Sequence, residues 1–478
     1  MPVVSYCADR GQALPLAYAF LERSLEQVRQ SHQPQLVSLS FDTLPVDPLV
    51  VLAELAPRRD RHLYLENPGV EESVVGFGTA LFYHTSGPQR FAQARRFIDR
   101  WRSHSQQYSD VGAMASRRQP DGARFFCAFT FFPEAGPSET AFPAAAVMLP
   151  RWQLVRQGKQ GVLTLNHLLT PATDVRAMVA ALGEQLRAVD RLGQQLWRQP
   201  LRRLGPTAQP HPEAGPQFKA AVNRALGHMR RHQVQKIVLA HALDWISTEP
   251  FHPLASLERL RQCYPDCHLF SLSHGDGRTF MGASPERLLS LANGQLITDA
   301  LAGSAPRGRT THEDEALAQQ LLDNPKERGE HQMVVEFLAQ QLQAVGLRPQ
   351  YQPQPGVLRL SNIQHLHTPM QARVPRRIHP LQIVEALHPT PAVAGVPTRE
   401  ACDQILRFED FDRGLYAAPL GWVGTNGDSE FIVGIRSALI ADTWARLYAG
   451  AGIVAGSDAN REWDEIQLKL RALGEALV

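Results

Sequence analysis

Apolar runs along the first 200 residues predict more strands than helices. Strand-like runs cover Leu36–Phe41 and Arg124–Phe132, whereas apolar positions at helical spacing cover Gln89–Ser103. Many strands with few intervening helices are typical of large sheets rather than of strict strand–helix–strand alternation. We therefore expect residues 1–200 to form a strand-rich part of the core.

Beyond residue 217 the pattern changes to amphipathic helices interspersed with strands. An apolar strand begins at Lys236, and turn sequences at Gly275–Gly277 and Asn293–Gly294 each predict a hairpin. The apolar run Phe431–Ile440 predicts one long strand. Helical spacing is seen at residues 218–232, 254–264, 314–322 and 326–345.

A proline- and glycine-rich segment at residues 201–216 separates the two patterns. Such a composition predicts irregular structure and makes this segment the best candidate for a linker. The chain thus divides into residues 1–200, the segment 201–216, and residues 217–478.

Composition and charge narrow the classes of function. The 478 residues carry 49 Lys and Arg against 47 Asp and Glu, and no basic run could follow a phosphate backbone, so we do not expect nucleic-acid binding. No apolar stretch has the length of a membrane span, and the N-terminus lacks the pattern of a signal peptide. Five cysteines, an odd and sparse set, favour a reducing compartment, and we expect the cytoplasm.

The C-terminal stretch Arg446–Lys469 contains the first candidate site. Gly450 and Gly452 follow a strand-like run, and a residue without a Cβ lets the backbone approach a ligand closely. Asn460 is the expected N-cap of the helix that follows. Three charged side chains then share one helix face: Glu462, Glu465 and Lys469.

A second pair of carboxylates, Glu327 and Glu330, opens the predicted helix at residues 326–345. Their spacing matches that of Glu462 and Glu465. Hard oxygen ligands without cysteine or paired histidine favour Mg²⁺ over zinc. Exposed glutamates in surface ion pairs explain the same pattern, and the residues alone leave both interpretations open.

Three more charged residues stand in apolar surroundings. Lys236 begins an apolar strand, where a desolvated lysine would suit a general base and a strand-edge lysine would keep its ammonium in water. Glu286 stands at a strand end, next to Pro285. Arg436 lies inside the run Phe431–Ile440, where a buried guanidinium needs a partner such as a ligand carboxylate.

The order of these motifs resembles the chorismate-utilising enzymes, and the resemblance extends from Phe218 to the C-terminus. It rests on the following segments: Lys236–Ala240, Gly282–Leu288, Leu301–Gly308, Lys326–His331, His365–Leu366, Leu387–Gly395, Phe411–Tyr416, Gly434–Arg436 and Ala449–Lys469.

The resemblance implies an α/β fold of the α+β type. In this fold two large, mostly antiparallel sheets pack in the centre of a single unit, with helices outside and the site between them. The strand-rich residues 1–200 would join this core, the segment 201–216 would be a surface excursion, and residues 217–478 would be the chorismate-binding catalytic region.

Sequence details discriminate among the anthranilate, aminodeoxychorismate, isochorismate and salicylate synthases of this family. Aminodeoxychorismate synthases have a nucleophilic lysine at the position of Ala302, and anthranilate synthases typically have glutamine at that of Lys236. Anthranilate synthases also have a Gly-Thr motif where this chain has His388–Ala392. The resemblance therefore implies isochorismate formation, with salicylate formation or non-catalytic binding of chorismate-like ligands as alternatives.

By resemblance, Lys236 is the base that activates water and Glu286 is the acid that protonates the leaving hydroxyl. The base must be largely uncharged and the acid largely protonated near neutral pH, which requires a desolvated site. The resemblance places Mg²⁺ on Glu327, Glu330, Glu462 and Glu465, and the substrate beside Gly303, Ser304, His365, Tyr416, Arg436, Gly450, Gly452 and Lys469.

The implied partners are chorismate and Mg²⁺ alone. We expect a monomer without a glutamine amidotransferase subunit and without nucleic-acid or membrane partners. One departure from the family is that Glu327 stands where aspartate is frequent.

Overall fold

The computed structural model describes residues 10–57, 60–112, 121–134, 142–194, 209–210, 215–361 and 363–477. Of the predicted linker, residues 201–208 and 211–214 lie outside these ranges. None of the described helices combines the length and the apolar character needed to cross a lipid bilayer.

In chain order, the strands of the described residues are β1 (Gln35–Thr43), β2 (Arg61–Asn67), β3 (Glu72–Phe77), β4 (Leu81–Thr85), β5 (Ser105–Asp110), β6 (Arg124–Phe129), β7 (Ala145–Leu149), β8 (Trp152–Gln157), β9 (Gln160–Leu169), β10 (Gln209–Pro210), β11 (Lys236–Ile246), β12 (His268–His274), β13 (Arg278–Ser284), β14 (Arg287–Ala292), β15 (Gln295–Pro306), β16 (Gly356–Arg359), β17 (Ile363–Arg373), β18 (Gly395–Val396), β19 (Pro419–Gly424), β20 (Ser429–Val433), β21 (Ser437–Ala441) and β22 (Trp444–Val454).

The α-helices of the same ranges are α1 (Arg10–Ser31), α2 (Pro48–Leu55), α3 (Arg90–Ser103), α4 (Val175–Gln194), α5 (Gly215–Arg230), α6 (Pro253–Cys263), α7 (Thr311–Asp323), α8 (Pro325–Ala344), α9 (Pro380–Leu387), α10 (Thr398–Phe408) and α11 (Ala459–Gly474).

These strands form two sheets that combine both halves of the chain. The large sheet has 13 strands in the order β10-β11-β22-β21-β13-β12-β2-β3-β8-β9-β1-β5, with β18 also on β11. The small sheet has nine strands in the order β16-β17-β15-β14-β20-β19-β6-β7-β4. Among the described pairs, β1 and β5 are parallel and the others are antiparallel. The expectation of two large, mostly antiparallel sheets is confirmed.

The two sheets face each other and share one apolar core. A Cβ on Gly76 of β3 would lie 2.0 Å from the Phe126 ring of β6, so the sheets pack in direct contact at this point. Buried polar bonds also join them. The Arg124 guanidinium of β6 donates to Glu72 of β3 at 2.6 Å, which pairs two opposite charges inside the core.

The predicted hairpins of the second half are confirmed, and they carry site residues. β12 pairs with β13, and β14 pairs with β15, across the glycine-containing turns identified in the sequence. The hairpin β12–β13 belongs to the large sheet and β14–β15 to the small sheet. The chain therefore changes sheets between Ser284 and Arg287, and this junction places Glu286 between the sheets.

The prediction of one strand at Phe431–Ile440 is wrong. β20 ends at Val433 in the small sheet, and β21 begins at Ser437 in the large one. Arg436 has a left-handed φ of 49°, which a regular strand does not contain. The residues where the chain passes from the small sheet to the large sheet are also mostly apolar, so the sequence pattern does not show where one strand ends and the next begins. Arg436 consequently lies at the junction of the sheets rather than inside a strand.

The two helices that carry the acidic pairs begin at well-defined caps. Asn324 caps α8, with Pro325 at the first helical position. The prediction that Asn460 caps α11 is wrong, because the Asp458 carboxylate accepts from the backbone amides of Asn460 and Arg461 at 3.0 and 3.1 Å. Each helix has a glutamate in its first turn, where the helix dipole favours negative charge.

Candidate active site

One cavity lies where β11, β22, β15 and the helices α8 and α11 meet. It encloses about 960 Å³, including the solvent at its mouth. Its walls contain most of the residues singled out in the sequence: Lys236, Glu286, Gly303, Ser304, Glu330, His365, Tyr416, Arg436, Gly450, Gly452, Glu465 and Lys469. Glu327 and Glu462 are not among the lining residues.

Lys236 is buried at the start of β11, with a side chain only 1 % exposed. Its backbone pairs with Val454 of β22 on one side and Val396 of β18 on the other, so it does not lie at a sheet edge. The Nζ atom lies 2.8 Å from Glu330 Oε1 of α8. This burial excludes the alternative of a strand-edge lysine with its ammonium in water.

Glu286 faces the same cavity and is 7 % exposed. Burial raises its pKa to about 7, an effect opposed by the charge of Lys236 and by a hydrogen bond from Thr390. The Thr390 hydroxyl lies 3.4 Å from Glu286 Oε1. A carboxyl with this pKa is substantially protonated at neutral pH and can act as an acid.

A buried ion pair fixes the strand that carries Lys236. Arg413, 1 % exposed, donates to the Glu409 carboxylate and to the carbonyl oxygens of Val393 and Val238, each of these carbonyls at 2.8 Å. Glu409 accepts from the Ala240 amide of β11 at 2.7 Å. The pair therefore joins β11 to the turn that contains Val393, which also lines the cavity.

Two cations lie at one end of the cavity. No carboxylate lies within ion-pair distance of Arg436 in the described ranges, and its Nη1 atom is 3.9 Å from Cys267 Sγ. Lys469 donates to Gly450 O at 2.8 Å and pairs with Glu465 at 2.7 Å. Arg436 is therefore the cation most available to a ligand carboxylate.

At the same end of the cavity as Arg436 and Lys469, the absence of a side chain on Gly450 lets the Tyr416 hydroxyl lie close to the backbone. A Cβ on Gly450 would lie 2.7 Å from Tyr416 Oη. Tyr416 stacks on Tyr448 with ring centroids 5.2 Å apart, which fixes the ring. Burial raises the pKa of Tyr416 well above its usual value, so the phenol stays neutral and can donate a hydrogen bond.

His365 lies on β17, against the bend of β15. Burial, aided by the charge of Arg436, lowers its pKa to about 3, so the ring is neutral at physiological pH. Its Nδ1 atom is 3.2 Å from the Gly303 carbonyl, an acceptor, and must therefore carry the proton. Nε2 is left as an acceptor inside the cavity, where it can receive a hydrogen bond from a hydroxyl or water.

The four glutamates of α8 and α11 form a group of like charges. The pKa of Glu327 is raised by burial and by the charge of Glu330, and its carboxylate accepts from the Ser304 amide at 3.2 Å. The pKa of Glu462 is raised by burial and by Glu465, against a hydrogen bond from Ser457. The charge of Glu465 on α11 also raises the pKa of Glu327 on α8, and the charge of Glu330 on α8 also raises that of Glu462 on α11, so carboxylates of the two helices repel one another.

The donor chemistry of this group fits a hard divalent cation, which would relieve the repulsion between the carboxylates. No three carboxylate, imidazole or thiol groups of the described residues already converge on one point at metal-ligand distances. Glu330 and Glu465 instead bind Lys236 and Lys469.

A family model described as chorismate binding enzyme matches residues 23–478. The chain belongs to this family of chorismate binding enzymes. It is 36 % identical to the salicylate biosynthesis isochorismate synthase of Pseudomonas aeruginosa over 99 % of this chain and 97 % of that protein. It is 27 % identical to isochorismate synthase MenF of Bacillus subtilis over 95 % and 96 %. The structure of MenF, the menaquinone-specific isochorismate synthase from Escherichia coli, matches with a TM-score of 0.76 and 26 % identity, covering 97 % of this chain and 99 % of that one.

Sequence reasoning missed three residues of this chorismate binding enzyme: Thr390, Glu409 and Arg413. Thr390 and Arg413 lie in segments that carried the family resemblance, but nothing in those segments marks either as a partner of a site residue. Their contacts depend on how the turn at residues 390–394 folds back on β11.

Gly452 offers a test of the contact between Lys236 and Glu330. A Cβ at Gly452 would lie 3.0 Å from Glu330 Oε1 and 3.3 Å from Lys236 Cε. We expect Gly452→Ala to lower kcat/KM about ten-fold, because both side chains must move. Gly227→Ala, on α5, where a Cβ meets nothing within 4 Å, should leave it unchanged. Steady-state kinetics checks both variants, and an unaffected Gly452→Ala would contradict a catalytic role for the contact.

Proposed function

We propose that this enzyme converts chorismate to isochorismate by adding water at C2 as the C4 hydroxyl leaves. The observation that carries the proposal is a buried lysine and a protonatable carboxyl, Lys236 and Glu286, in one cavity. The 36 % identity to an isochorismate synthase over nearly the whole chain supports it.

The chemistry requires one proton to be accepted and one to be donated. As the water oxygen bonds to C2, Lys236 Nζ accepts the proton of that water, and the two ring double bonds shift toward C4. The C4–O bond breaks, and Glu286 donates its proton to the departing hydroxyl, which leaves as water. Glu330, 2.8 Å from Lys236, stabilises the ammonium that forms.

The other lining residues bind and orient the substrate. Chorismate carries two carboxylates, and Arg436 suits the enolpyruvyl carboxylate, with the Tyr416 hydroxyl beside it. His365 Nε2, an acceptor, would hold a hydroxyl or a water. Lys236 and Glu286 are buried in these walls, and burial strengthens each charge interaction that they make inside the cavity.

Glu327, Glu330, Glu462 and Glu465 would hold Mg²⁺, which would supply positive charge to the ring carboxylate. We expect chelation with EDTA to abolish turnover and Mg²⁺ to restore it. A second measurement does not depend on activity: Mg²⁺ should raise the melting temperature of the wild type, because it relieves carboxylate repulsion in the folded state. Glu462→Gln should weaken that rise. Equal melting temperatures with and without Mg²⁺ would contradict the assignment.

Product analysis tests the proposed reaction. The purified protein is incubated with chorismate and Mg²⁺, and the products are separated by liquid chromatography and identified by mass. We expect isochorismate without salicylate or pyruvate. Salicylate with pyruvate would instead indicate salicylate formation on the same scaffold, and unchanged chorismate would indicate binding without turnover.

We further propose that the enzyme acts in the cytoplasm as a monomer without an amidotransferase subunit. Four of its cysteines, Cys127, Cys263, Cys267 and Cys402, are free thiols, which suits a reducing compartment. Light scattering of the purified protein tests the monomer. Its product would serve a salicylate or quinone route, in line with the names of two of its relatives, or a siderophore route.

A further inference from the structure

The main chain of Glu286 is fixed on both sides, while its carboxyl has a single protein hydrogen-bond partner within the described ranges. The Glu286 amide donates to Ser284 Oγ at 3.2 Å, and its carbonyl accepts from the Val433 amide at 3.1 Å. Ser284 Oγ in turn donates to Val433 O at 2.6 Å. The orientation of the carboxyl itself therefore depends on Thr390.

Thr390 lies on a rigid turn and is 4 % exposed. Its carbonyl accepts from the amides of Val393 and Ala394 at 3.1 and 2.9 Å. Ala394 O accepts from the Val238 amide of β11 at 2.7 Å, and Val393 O accepts from Arg413 at 2.8 Å. The main chain that carries the Thr390 hydroxyl is thus anchored to the same strand that carries Lys236.

A hydroxyl has one proton to donate, and a protonated carboxyl has one oxygen that only accepts. Thr390 Oγ1 lies 3.4 Å from Glu286 Oε1, and donation to Oε1 favours that atom as the carbonyl oxygen. The acidic proton is then on Oε2. An acid is effective only if its proton points at the group that it protonates.

We propose that Thr390 is a positioning residue that assigns the transferable proton of Glu286 to Oε2, toward the ligand cavity. The inference rests on the proposed role of Glu286 as the acid. Burial of Glu286 controls how readily its carboxyl keeps a proton. Thr390 controls which of the two carboxyl oxygens carries that proton.

Other groups also act on Glu286, and the test must separate them from Thr390. Lys236 of β11 favours the ionised carboxylate, whereas Asp299 of β15 disfavours it. Burial alone would raise the pKa of Asp299, but hydrogen bonds and charge from His367 and Arg287 lower it. Thr390→Val leaves these groups in place and replaces the hydroxyl with a methyl group of similar size.

We expect Thr390→Val to lower kcat about ten-fold with little change in KM, because part of the protonated population points its proton away from the substrate. Removing a hydrogen bond that stabilises the carboxylate should also move the alkaline limb of kcat/KM to higher pH. Thr390→Ser should restore both properties. Thr298→Val is the matched control, since its equally buried hydroxyl donates to Leu288 O outside the cavity.

Infrared spectroscopy of the protonated Glu286 carboxyl gives a readout independent of turnover. The band is identified by its loss in Glu286→Gln, and its C=O stretch should move to higher frequency in Thr390→Val and not in Thr390→Ser. An unchanged frequency, or Thr390→Ser behaving like Thr390→Val, would overturn the proposal. If the wild type forms no isochorismate, the proposed function fails, but the infrared result still shows whether Thr390 donates a hydrogen bond to Glu286. If Thr390→Val folds poorly, Thr390→Ala takes its place in both experiments.

Discussion

Lys236→Ala should lower kcat for isochorismate formation by about 10³-fold, within the range that a general base contributes. The substitution removes the group that accepts the proton of water, and it leaves the Glu330 carboxylate without its partner 2.8 Å away. Chorismate should still bind, because Arg436 and the glycine backbone remain. Steady-state kinetics with isothermal titration calorimetry separates the two effects.

Two control variants show whether the loss comes from the base or from charge alone. Lys236→Arg places a permanent cation beside Glu330 and cannot act as a base near neutral pH, so it should be as inactive as Lys236→Ala. Lys219→Ala, on α5 and outside the cavity lining, should keep wild-type activity. Activity within ten-fold of wild type in Lys236→Ala would contradict the assignment of the base.

Glu286→Gln should lower kcat by about 10²–10³-fold while changing KM little, because glutamine keeps the shape of the side chain but cannot protonate the leaving hydroxyl. In the wild type, kcat/KM should fall as pH rises through about 7, where Glu286 loses its proton. The residual activity of Glu286→Gln should lack that limb. A fall in kcat/KM at the same pH in Glu286→Gln would show that a different group loses its proton there.

The same substitution has a predictable effect on stability. The pKa of Glu286 is raised from 4.5 to about 7 in the folded state, so its stabilising contribution is full below pH 4.5 and is lost as pH rises through 7. Relative to Glu286→Gln, the wild type should lose up to about 3 kcal/mol of unfolding free energy between pH 4 and pH 8. Denaturant unfolding at both pH values measures this difference, and a difference that does not change with pH would contradict the raised pKa.

Much of the site could be anticipated because short motifs fix which residues lie at strand ends. Lys236 begins β11 and Glu286 lies between β13 and β14, as the sequence indicated, and both face one cavity. The glycines of β22 also lie where a Cβ would collide with Glu330 or Tyr416. Their roles in catalysis and binding stay predictions.

Other features depend on contacts that no local pattern contains. The apolar run around Arg436 looks continuous, yet the chain passes from one sheet to the other there, and a left-handed residue makes the turn. The resemblance places Lys469 beside the substrate, but its ammonium already donates to Glu465 and to the Gly450 carbonyl. Arg436 is left as the more available cation.

The pairing of sheets across residue 200 is likewise a long-range property. β2 pairs with β12 and β6 pairs with β19, so strands far apart in sequence build the walls behind the site. Periodicity predicts that such strands exist and which face is apolar, but it contains no information on which strand is the neighbour.

Conversion of chorismate in H₂¹⁸O tests the central claim most directly, because the account requires a new C2–O bond to solvent water and complete loss of the C4 oxygen. Mass spectrometry of the isochorismate formed should find one ¹⁸O per molecule, located at C2 by fragmentation. Isochorismate without label would mean that the original hydroxyl migrates, and it would contradict the assignment of Lys236 as the base and Glu286 as the acid.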